Sequence, residues 1–276
     1  MRFIKAHGLG NDFVIVDDRQ NIYTENLPAL ARKLCHRRTG IGADGLMFAR
    51  TSDTCDAQMQ LFNSDGSVAP MCGNGVRCFA KFVHDTGIVP KESFSVDTLA
   101  GKQLIELTVK DGAAVSARVN LGKPERKKPL IPMLGEGECV LEKVTVGGKV
   151  MTFSAILLGN PHAVVFVDEI PAYEDLCRIG HEIEHMPMFP IGANINFTRV
   201  IDSETVEVRT WERGCGATYA CGTGSSSAAV CSAIAGFTGR HVKVRLMLGT
   251  LDILWDADGS VYMDGPAEFA FEGEVC

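Results

Sequence analysis

Hydrophobic and polar side chains alternate in short segments over most of the chain, and glycine, asparagine and aspartate separate the segments. Alternation with a period of two is typical of half-buried β-strands. The pattern predicts strands within 2–17 (two strands around a glycine-rich turn), 46–49, 56–61, 93–96, 103–109, 114–121, 139–146, 151–158, 162–167, 194–200, 205–211, 242–248, 251–255, 261–263 and 268–271. Four segments favour helices instead: Pro28–Arg38, the residues after Cys72, Tyr173–His185 and Thr223–Ala235.

Two of the predicted helices follow the same short motif, Cys-Gly-x-Gly, which begins at Cys72 and again at Cys221. The first of these helices has few charges and should be largely covered. The second consists almost entirely of small or apolar residues, and a helix without a charged face is buried on all sides. The two motifs lie about half the chain apart (221 − 72 = 149 residues). We therefore predict an internal repeat, in which strands wrap around one central helix, twice.

This repeat predicts an α+β fold with two pseudo-symmetric domains, each a mostly antiparallel sheet around a central helix. We assign residues 1–121 and 267–276 to an N-terminal domain that carries Cys72. Residues 122–266 form a C-terminal domain that carries Cys221. The segment 122–132 is rich in proline, lysine and arginine, which favours it as the crossing between the domains.

Composition excludes several classes of partner. The 276 residues are 46% hydrophobic and carry a net charge of −7, and no basic cluster is larger than Arg126-Lys127-Lys128. A nucleic acid or an anionic membrane is therefore not an expected partner. No apolar run approaches the roughly 18 residues of a membrane span. The chain passes from Met1 directly into a strand-like pattern, without the features of a signal peptide, so we expect a cytosolic protein.

The chain has ten cysteines, and none of them forms a C-x-x-C motif. A disulfide framework is typical of short secreted chains, which this chain does not resemble. The C-x5-C pairs 72/78 and 215/221 lack a compact four-ligand set for zinc. Most of the cysteines are therefore expected to be buried, reduced thiols. Cys72 and Cys221 fit this interpretation poorly, because the flanking glycines expose them at a helix start.

The position of these two cysteines has a chemical consequence. Backbone amides at a helix start favour negative charge, which lowers the pKa of a thiol there from about 8.5 toward neutrality. One such cysteine suggests a nucleophile. Two of them, on duplicated elements, suggest a pair of acid and base groups that work from opposite sides.

Two other motifs point to different chemistry. Residues 40–45 match G-x-G-x-x-G, but a predicted helix precedes them and a strand follows, which is the reverse of a dinucleotide site. We expect a loop there, lining a pocket with Asp44. His181 and His185 match H-E-x-x-H, a zinc motif in which Glu182 would be the base. No third ligand follows at zincin spacing, and Pro187 ends the helix. A zinc hydrolase nevertheless remains an alternative.

Polar residues at predicted turns are candidates for substrate binding. Five asparagines stand at such turns: Asn11, Asn63, Asn74, Asn160 and Asn194. Around a zwitterion, their amides could donate to carboxylates and accept from ammonium groups. Arg213 is suited to bidentate recognition of a carboxylate, and Glu212 could hold an ammonium. His162 could tune a thiol or be a structural histidine.

These motifs together resemble the signatures of the diaminopimelate epimerase family. The resemblance rests on Asn63-x-Asp65-Gly66-Ser67, Cys72-Gly73-Asn74-Gly75-x-Arg77, Trp211-Glu212-Arg213-Gly214 and Thr218-x-Ala220-Cys221-Gly222-Thr223-Gly224. Lys5-x-His7-Gly8-x-Gly10-Asn11-Asp12-Phe13 and Gly159-Asn160-Pro161-His162 match as well. The resemblance runs from residue 1 past 265. Ala217 stands where members often carry glutamate, and Asp44 where some carry glutamine.

The resemblance implies a cofactor-independent reaction and a role for each site residue. One cysteine thiolate removes an α-proton, and the other cysteine, as a thiol, donates a proton to the opposite face. Cys72 and Cys221 would be this pair, supported by His162 and Glu212. The resemblance assigns the reacting end of the substrate to Gly73, Asn74, Gly222, Thr223, Asn11 and Asp44. It assigns the distal end to Asn63, Asn160, Asn194, Arg213 and Glu212.

The function implied is the interconversion of LL- and meso-diaminopimelate, which supplies precursors of lysine and peptidoglycan. The small-molecule substrate would be the principal partner, and a homodimer is included in the prediction. A proline- or hydroxyproline-type racemase is the alternative within the same fold. Proline has a single charged end, whereas the asparagines and the Glu212-Arg213 pair suit a second one, which favours diaminopimelate.

Overall fold

The computed structural model describes residues 1–275. Within them lie eighteen strands, four α-helices and one short 3-10 helix, and the predicted α+β class is confirmed. The chain forms two compact units: unit 1 contains Met1–Asn120 and the described residues from Asp264 on, and unit 2 contains Leu121–Met263. Cys276, the tenth cysteine and the last residue of the predicted N-terminal domain, lies outside the described residues.

In unit 1, strands precede and follow one central helix along the chain. Its elements are β1 (Arg2–Gly8), β2 (Asn11–Asp17), α1 (Leu27–Cys35), β3 (Gly45–Arg50), β4 (Ala57–Asn63), β5 (Val68–Ala69), α2 (Gly73–Asp85), β6 (Ser93–Thr98), β7 (Gly101–Lys110), β8 (Ala113–Asn120) and β18 (Glu268–Glu274). The last strand, β18, pairs antiparallel with β1. The end of the described chain is thereby joined to its beginning.

In unit 2, strands likewise precede and follow one central helix. Its elements are the 3-10 helix Lys128–Leu130, β9 (Cys139–Val146), β10 (Lys149–Leu158), β11 (Asn160–Phe166), α3 (Tyr173–Glu184), β12 (Asn194–Asp202), β13 (Thr205–Glu212), β14 (Gly216–Thr218), α4 (Gly222–Ile234), β15 (His241–Leu246) and β16 (Gly249–Trp255). Strand β17 (Val261–Pro266) begins in unit 2 and ends in unit 1.

The order of strand pairing is the same in the two units. In unit 1, β1–β2 is antiparallel, β2–β3 parallel, β3–β4 antiparallel, β4–β6 parallel and β6–β7 antiparallel. In unit 2, the series β10–β11, β11–β12, β12–β13, β13–β15 and β15–β16 has the same directions. Parallel neighbours need a crossover, and α1 and α3 provide it between β2 and β3 and between β11 and β12. The predicted repeat is confirmed by this pattern.

Helices α2 and α4 occupy equivalent places in the repeat. Helix α2 packs against β8, β1 and β2, and α4 packs against β10, β11 and β12. The first eight residues of α2 are all buried, and the consecutive residues Gly224–Ser232 of α4 are buried as well. Small side chains on every face let the surrounding strands approach α4 closely. The predictions that α2 is largely covered and that α4 is buried are confirmed.

Buried thiols are part of the core. Cys35, Cys78, Cys139 and Cys231 are almost fully covered and unbridged, as expected for small apolar side chains. Burial raises the pKa of the Cys35, Cys78 and Cys139 thiols to about 12, because the thiolate would lose its hydration. These thiols are therefore chemically inert at neutral pH.

Three short elements were not predicted from the pattern: β5, β14 and the 3-10 helix, with two or three residues each. A segment of this length contains no complete period of alternation. Each strand is set by its partner instead, since β5 pairs with β4 and β14 pairs with β13. None of the helices in residues 1–275 is long and apolar enough to cross a membrane.

Gly180 tests the packing of α3 against β13. A Cβ atom at this position would lie 2.6 Å from both Cβ and Cγ of Trp211, whose indole N–H donates to the Glu184 carboxylate at 2.6 Å. In an unconstrained helix, Gly→Ala stabilises by about 1 kcal/mol. We expect Gly180→Ala to lower the free energy of unfolding by about 1–3 kcal/mol instead, because the ring cannot retreat without losing its bond.

Urea-induced unfolding measures this change. Gly239→Ala is the matched control, because its Cβ would meet nothing closer than 3.9 Å and the residue does not have a positive φ. A Gly180→Ala variant as stable as the unmodified protein would show that α3 can move away from β13.

Candidate active site

Each unit places one cysteine immediately before its central helix. Cys72 precedes α2 with φ −136° and ψ 120°, and Cys221 precedes α4 with φ −121° and ψ 110°. Both conformations are extended, as is usual for the residue that caps a helix. The first turn of each helix therefore presents backbone N–H groups for which the helix itself has no acceptor. The two sites are described separately below.

In unit 1, the Cys72 sulfur both accepts and donates. The Gly75 N–H donates to Sγ at 3.4 Å, and the thiol donates to Oδ1 of Asn11 at 3.5 Å. Asn11 is the first residue of β2. Gly75 is closely packed, because a Cβ there would lie 2.6 Å from Cε of Met47 and 3.3 Å from Cζ of Phe13 on β2. The helix start can thus lie directly on the strands of unit 1.

A fully buried arginine lies behind this sulfur. The Arg77 Nη1 donates to Oδ1 of Asn74 at 3.0 Å, and the Asn74 Nδ2 donates to Oδ1 of Asn11 at 3.1 Å. Burial lowers the pKa of Arg77. Gly8 leaves room for the guanidinium, since a Cβ at Gly8 would lie 2.9 Å from Nη2. Arg77 thereby fixes the Asn74 amide within the first turn of α2.

Asp44 approaches Asn11 from the other side. Residues 40–44 form the predicted loop between α1 and β3. The Asp44 carboxylate accepts from Nδ2 of Asn11 at 2.8 Å and from the Arg37 guanidinium at 2.7 Å. Asp12 shares the Arg37 guanidinium and forms an ion pair with Lys5 at 2.8 Å. Four predicted site residues, Cys72, Asn11, Asn74 and Asp44, are therefore joined by hydrogen bonds.

Asn63 is less tightly connected. It ends β4, is exposed, and its Nδ2 donates to the Ser67 hydroxyl at 2.9 Å within the turn that leads to β5. Its neighbour Ser64 donates its backbone N–H to the Asp44 carbonyl at 2.9 Å. The turn that carries Asn63 is thus attached to the loop that carries Asp44.

In unit 2, the environment of Cys221 differs from the expectation. The residue is only 6% exposed, and burial raises the pKa of its thiol well above the ordinary value. The Glu212 carboxylate raises it further, whereas hydrogen bonds from the Thr223 hydroxyl, 3.6 Å from the sulfur, and the Gly224 amide act in the opposite direction. The predicted lowering of the pKa was wrong for Cys221, because desolvation outweighs the helix amides.

Glu212 and Arg213 lie at the end of β13. The Thr218 hydroxyl on β14 donates to the Glu212 carboxylate, which holds it beside Cys221. The backbone N–H of Arg213 donates to Oδ1 of Asn194 at 2.9 Å, and the Asn194 Nδ2 donates to the Pro161 carbonyl at 3.3 Å. The structure therefore brings Asn194 to the backbone of Arg213. Asn160 is an exposed first residue of β11.

His162 forms part of a buried cluster of polar side chains. The sequence motifs included His162 but not the other members of this cluster. Its Nδ1 lies 3.2 Å from Nδ2 of Asn196, whose Oδ1 accepts from the Thr210 hydroxyl at 3.1 Å. Because an amide NH₂ only donates, Nδ1 accepts and the ring proton is on Nε2. Burial, and then the positive charge of Arg213, lower the pKa of His162 to about 3. The ring is neutral, so it does not act on a thiol through a positive charge.

Asn196 and Thr210 were missed, although a weak signal for Asn196 was present. It lies two residues after Asn194 in β12, which places a polar side chain on an otherwise buried strand. The structure shows why it matters to Cys221. A Cβ at Gly224 would lie 2.3 Å from Oδ1 of Asn196, so α4 begins in direct contact with this amide.

The zinc motif has a different arrangement from a metal site. The rings of His181 and His185 stack with centroids 4.3 Å apart, and Nδ1 of His185 lies 2.8 Å from the His181 carbonyl. The Glu182 carboxylate accepts from the Gly147 N–H at 3.2 Å. Over residues 1–275, no group of three or more His, Cys, Asp or Glu side chains converges as metal ligands would.

Comparison with known proteins gives a consistent result over the whole chain. A family model described as diaminopimelate epimerase matches residues 3–127 and 154–270. The diaminopimelate epimerase of Moorella thermoacetica is 44% identical over 276 residues, which cover 99% of each chain. That of Caldanaerobacter subterraneus is 43% identical over 279 residues and covers 100% of this chain and 99% of its own.

Solved structures with similar folds are more distant in sequence. A PhzF-family phenazine biosynthesis protein from Bacillus anthracis has a TM-score of 0.70 at 17% identity, covering 100% of this chain and 99% of its own. A probable proline racemase from Agrobacterium radiobacter has a TM-score of 0.69 at 16% identity, covering 100% and 92%. These similarities are evidence for the fold alone.

The neutral state of His162 predicts a pH dependence of stability. An unfolded chain protonates this histidine near pH 6.5, whereas the folded protein does so only near the pKa of about 3. The unfolded state therefore binds one more proton within this window, and stability falls as the pH falls through it. The one-proton slope is about 1.4 kcal/mol per pH unit. We expect His162→Gln to remove this part of the slope.

Urea-induced unfolding at several pH values between 4 and 7 measures the slope for both proteins. Histidine-labelled NMR of the unmodified protein is an independent readout, in which the His162 ring stays neutral at pH 5. A His162 ring that takes up its proton near pH 6.5 in the folded protein would contradict the prediction.

Proposed function

Because the chain belongs to the diaminopimelate epimerase family, we propose that this protein is an isomerase that interconverts LL- and meso-diaminopimelate. This reaction serves the supply of lysine and peptidoglycan precursors. The observation that carries the proposal is the duplicated helix start. Cys72 and Cys221 cap α2 and α4 in the same extended conformation, at equivalent positions within the two series of strands.

The proposed reaction uses the two thiols on opposite faces of one α-carbon. A thiolate takes the α-proton and becomes a thiol, which leaves the electron pair on the α-carbon. The second thiol then donates its proton to the other face and becomes a thiolate. A single base would return the proton to the face it came from, so inversion needs both cysteines. Each takes either role, depending on the direction of the reaction.

The negative charge that develops on the substrate needs donors that are already in place. We assign this role to the backbone N–H groups of Gly73 and Asn74, and of Gly222 and Thr223, in the first turns of α2 and α4. Preorganised amides of this kind stabilise a developing oxyanion without a cost of reorganisation. The α-carboxylate of the substrate, into which the charge is delocalised, would accept from them.

The environment of Cys221 suits a proton donor. Burial and the Glu212 carboxylate both favour its neutral thiol, which holds the proton until a carbanion forms. In the reverse direction, the same carboxylate would favour the return of a proton to the sulfur. Glu212 is therefore proposed to support catalysis at Cys221, in addition to holding the distal amine of the substrate.

The remaining polar residues are proposed to recognise the two ends of the substrate. Arg213, Asn63 and Asn160 would bind the distal carboxylate, and Asn194 supports Arg213 by accepting from its backbone N–H. Asn11 and Asp44 would border the reacting end, near Cys72. We also propose that the two units are the two domains expected from the sequence. A homodimer and a cytosolic location stay predictions.

A proton-exchange experiment tests the proposal. In D₂O with reduced protein and LL-diaminopimelate, we expect deuterium to enter at the α-carbon as the meso isomer forms. Cys72→Ser and Cys221→Ser should each reduce epimerisation by roughly 10²–10⁴-fold, because each removes one acid/base group. Each variant should still exchange the α-hydrogen of one isomer only, the isomer whose hydrogen faces the remaining thiol.

Cys55→Ser is the control, because Cys55 is a half-buried, unbridged cysteine outside both helix starts. Mass spectrometry and chiral chromatography follow label and isomer together. Full epimerisation in either serine variant, or no exchange of diaminopimelate by the unmodified protein, would refute the proposal. In the latter case proline and hydroxyproline are the next substrates to test.

A further inference from the structure

We propose that Asp44 is a positioning residue for Cys72: it fixes the side-chain amide of Asn11 so that the amide oxygen accepts from the Cys72 thiol. This inference rests on the proposed function, since it concerns the thiol that takes part in proton transfer. It differs from a role for Asp44 in contacting the substrate. Hydrogen bonds of fixed direction join six side chains here: Arg37, Asp44, Asn11, Cys72, Asn74 and Arg77.

The first step is the polarity of Asp44. A carboxylate only accepts, and a guanidinium only donates. The Arg37 Nη2 donates to Oδ1 of Asp44 at 2.7 Å, while Nδ2 of Asn11 and the Asp12 N–H donate to Oδ2 at 2.8 and 3.2 Å. Because Asp44 cannot donate, the Asn11 amide must turn its NH₂ group toward Asp44. Its oxygen is then directed to the opposite side.

The second step is the polarity at the other end. The buried Arg77 donates to Oδ1 of Asn74 at 3.0 Å, so the Asn74 amide must present its NH₂ group to Asn11. The Asn74 Nδ2 lies 3.1 Å from Oδ1 of Asn11. The orientation of an asparagine amide is normally ambiguous. Here the two arginines and the carboxylate leave only one orientation of Asn11 that satisfies every bond.

The third step is the effect on Cys72. With its oxygen directed inward, Asn11 accepts from the thiol at 3.5 Å. A hydrogen bond donated by the thiol stabilises the protonated form. The Gly75 N–H and the positive charge of Arg77 favour the thiolate. The hydrogen bond to Asn11 therefore opposes the effect of the helix start on the pKa of Cys72. It also fixes the direction of the Cys72 S–H bond.

Asp44→Asn and Asp44→Ala distinguish this role from a charge effect. Both remove the same negative charge, but only asparagine keeps an oxygen that can accept. The Asn11 NH₂ group and the Asp12 N–H both donate to Oδ2 of Asp44, so the oxygen of the introduced amide takes this place. Asp44→Asn therefore leaves the Asn11 amide as it is. Asp44→Ala removes the acceptor, so the Asn11 amide is held only by its bond from Asn74 and accepts less well from the Cys72 thiol.

We expect the pKa of Cys72 to be about one unit lower in Asp44→Ala than in Asp44→Asn, the effect of about one neutral hydrogen bond. The readout is the rate of alkylation by iodoacetamide against pH, with mass spectrometry of the peptide that contains Cys72. At a fixed pH below the pKa, the rate should be roughly three- to fourfold higher in Asp44→Ala than in Asp44→Asn. The increase is less than tenfold because a thiolate of lower pKa is also less nucleophilic.

The other charged or titratable groups around this thiol in unit 1 stay the same in both variants. They are Lys5 and His7 on β1, Asp12 on β2, Arg37 after α1, and Arg77 and Cys78 on α2. Their influence on Cys72 therefore cancels in the comparison between Asp44→Asn and Asp44→Ala.

Asn11→Ala is a second test, which keeps the charge of Asp44 and does not depend on the folding of the Asp44 variants. It removes the acceptor, so the pKa of Cys72 should fall. In the Asn11→Ala background, Asp44→Asn and Asp44→Ala should give the same alkylation rate. Equal pKa values for Cys72 in Asp44→Asn and Asp44→Ala, or an unchanged value in Asn11→Ala, would overturn the inference.

Kinetics separates this inference from the proposed function. The acid limb of the pH profile of kcat/KM for diaminopimelate reports loss of the first essential thiol proton in the free protein. It should move to lower pH in Asp44→Ala relative to Asp44→Asn. If the thiol pKa shifts but diaminopimelate is not turned over by any form, the proposed function fails and the positioning role stands. If diaminopimelate is turned over without the pKa difference, the positioning role fails alone.

Discussion

Helices α2 and α4 each begin with a Gly-x-Gly segment that lies in close contact with the strands of its own unit. Both sites depend on this close contact. A side chain at Gly75 would collide with Met47, and one at Gly224 would collide with Asn196. Without these contacts, each helix would begin farther from the strands that carry its polar partners. Cys72 could then not combine its extended capping conformation with the hydrogen bond to Asn11 on β2. Glycine is needed here for space, since neither position has a positive φ.

The repeat provides one scaffold with two electrostatic environments. Asn11 begins β2 and Asn160 begins β11, at equivalent places in the series of strands. Near α2, charged residues hold the amides: Asp44 and Arg37 at the edge, and Arg77 inside. Near α4, neutral buried groups take this place, since His162 is unprotonated beside Asn196. A duplicated fold can thus surround its two helix-capping thiols with different polar groups.

Burial decides the competition at Cys221. The amides of a helix start lower the pKa of a cysteine. A sequence motif indicates this effect but not the effect of burial. In the folded chain the thiol is desolvated and lies beside the Glu212 carboxylate, and both effects raise its pKa. The larger effect comes from residues that pack around the motif. The same holds for His162, whose low pKa follows from its complete burial.

Most elements, the duplication and the two capping cysteines were predictable from the amino-acid sequence, because periodicity and short motifs are local properties of a chain. It did not predict β5 or β14, which contain too few residues for a period and exist only through their partners. Tertiary structure alone decided which way each amide points, what holds Asn194 and how deeply Cys221 is buried. Asn11 is 33 residues from Asp44 and 63 residues from Asn74 along the chain. Their hydrogen bonds form only because the fold brings these segments together. A donor or acceptor has a direction only when its partner is known, and the partners here come from distant segments.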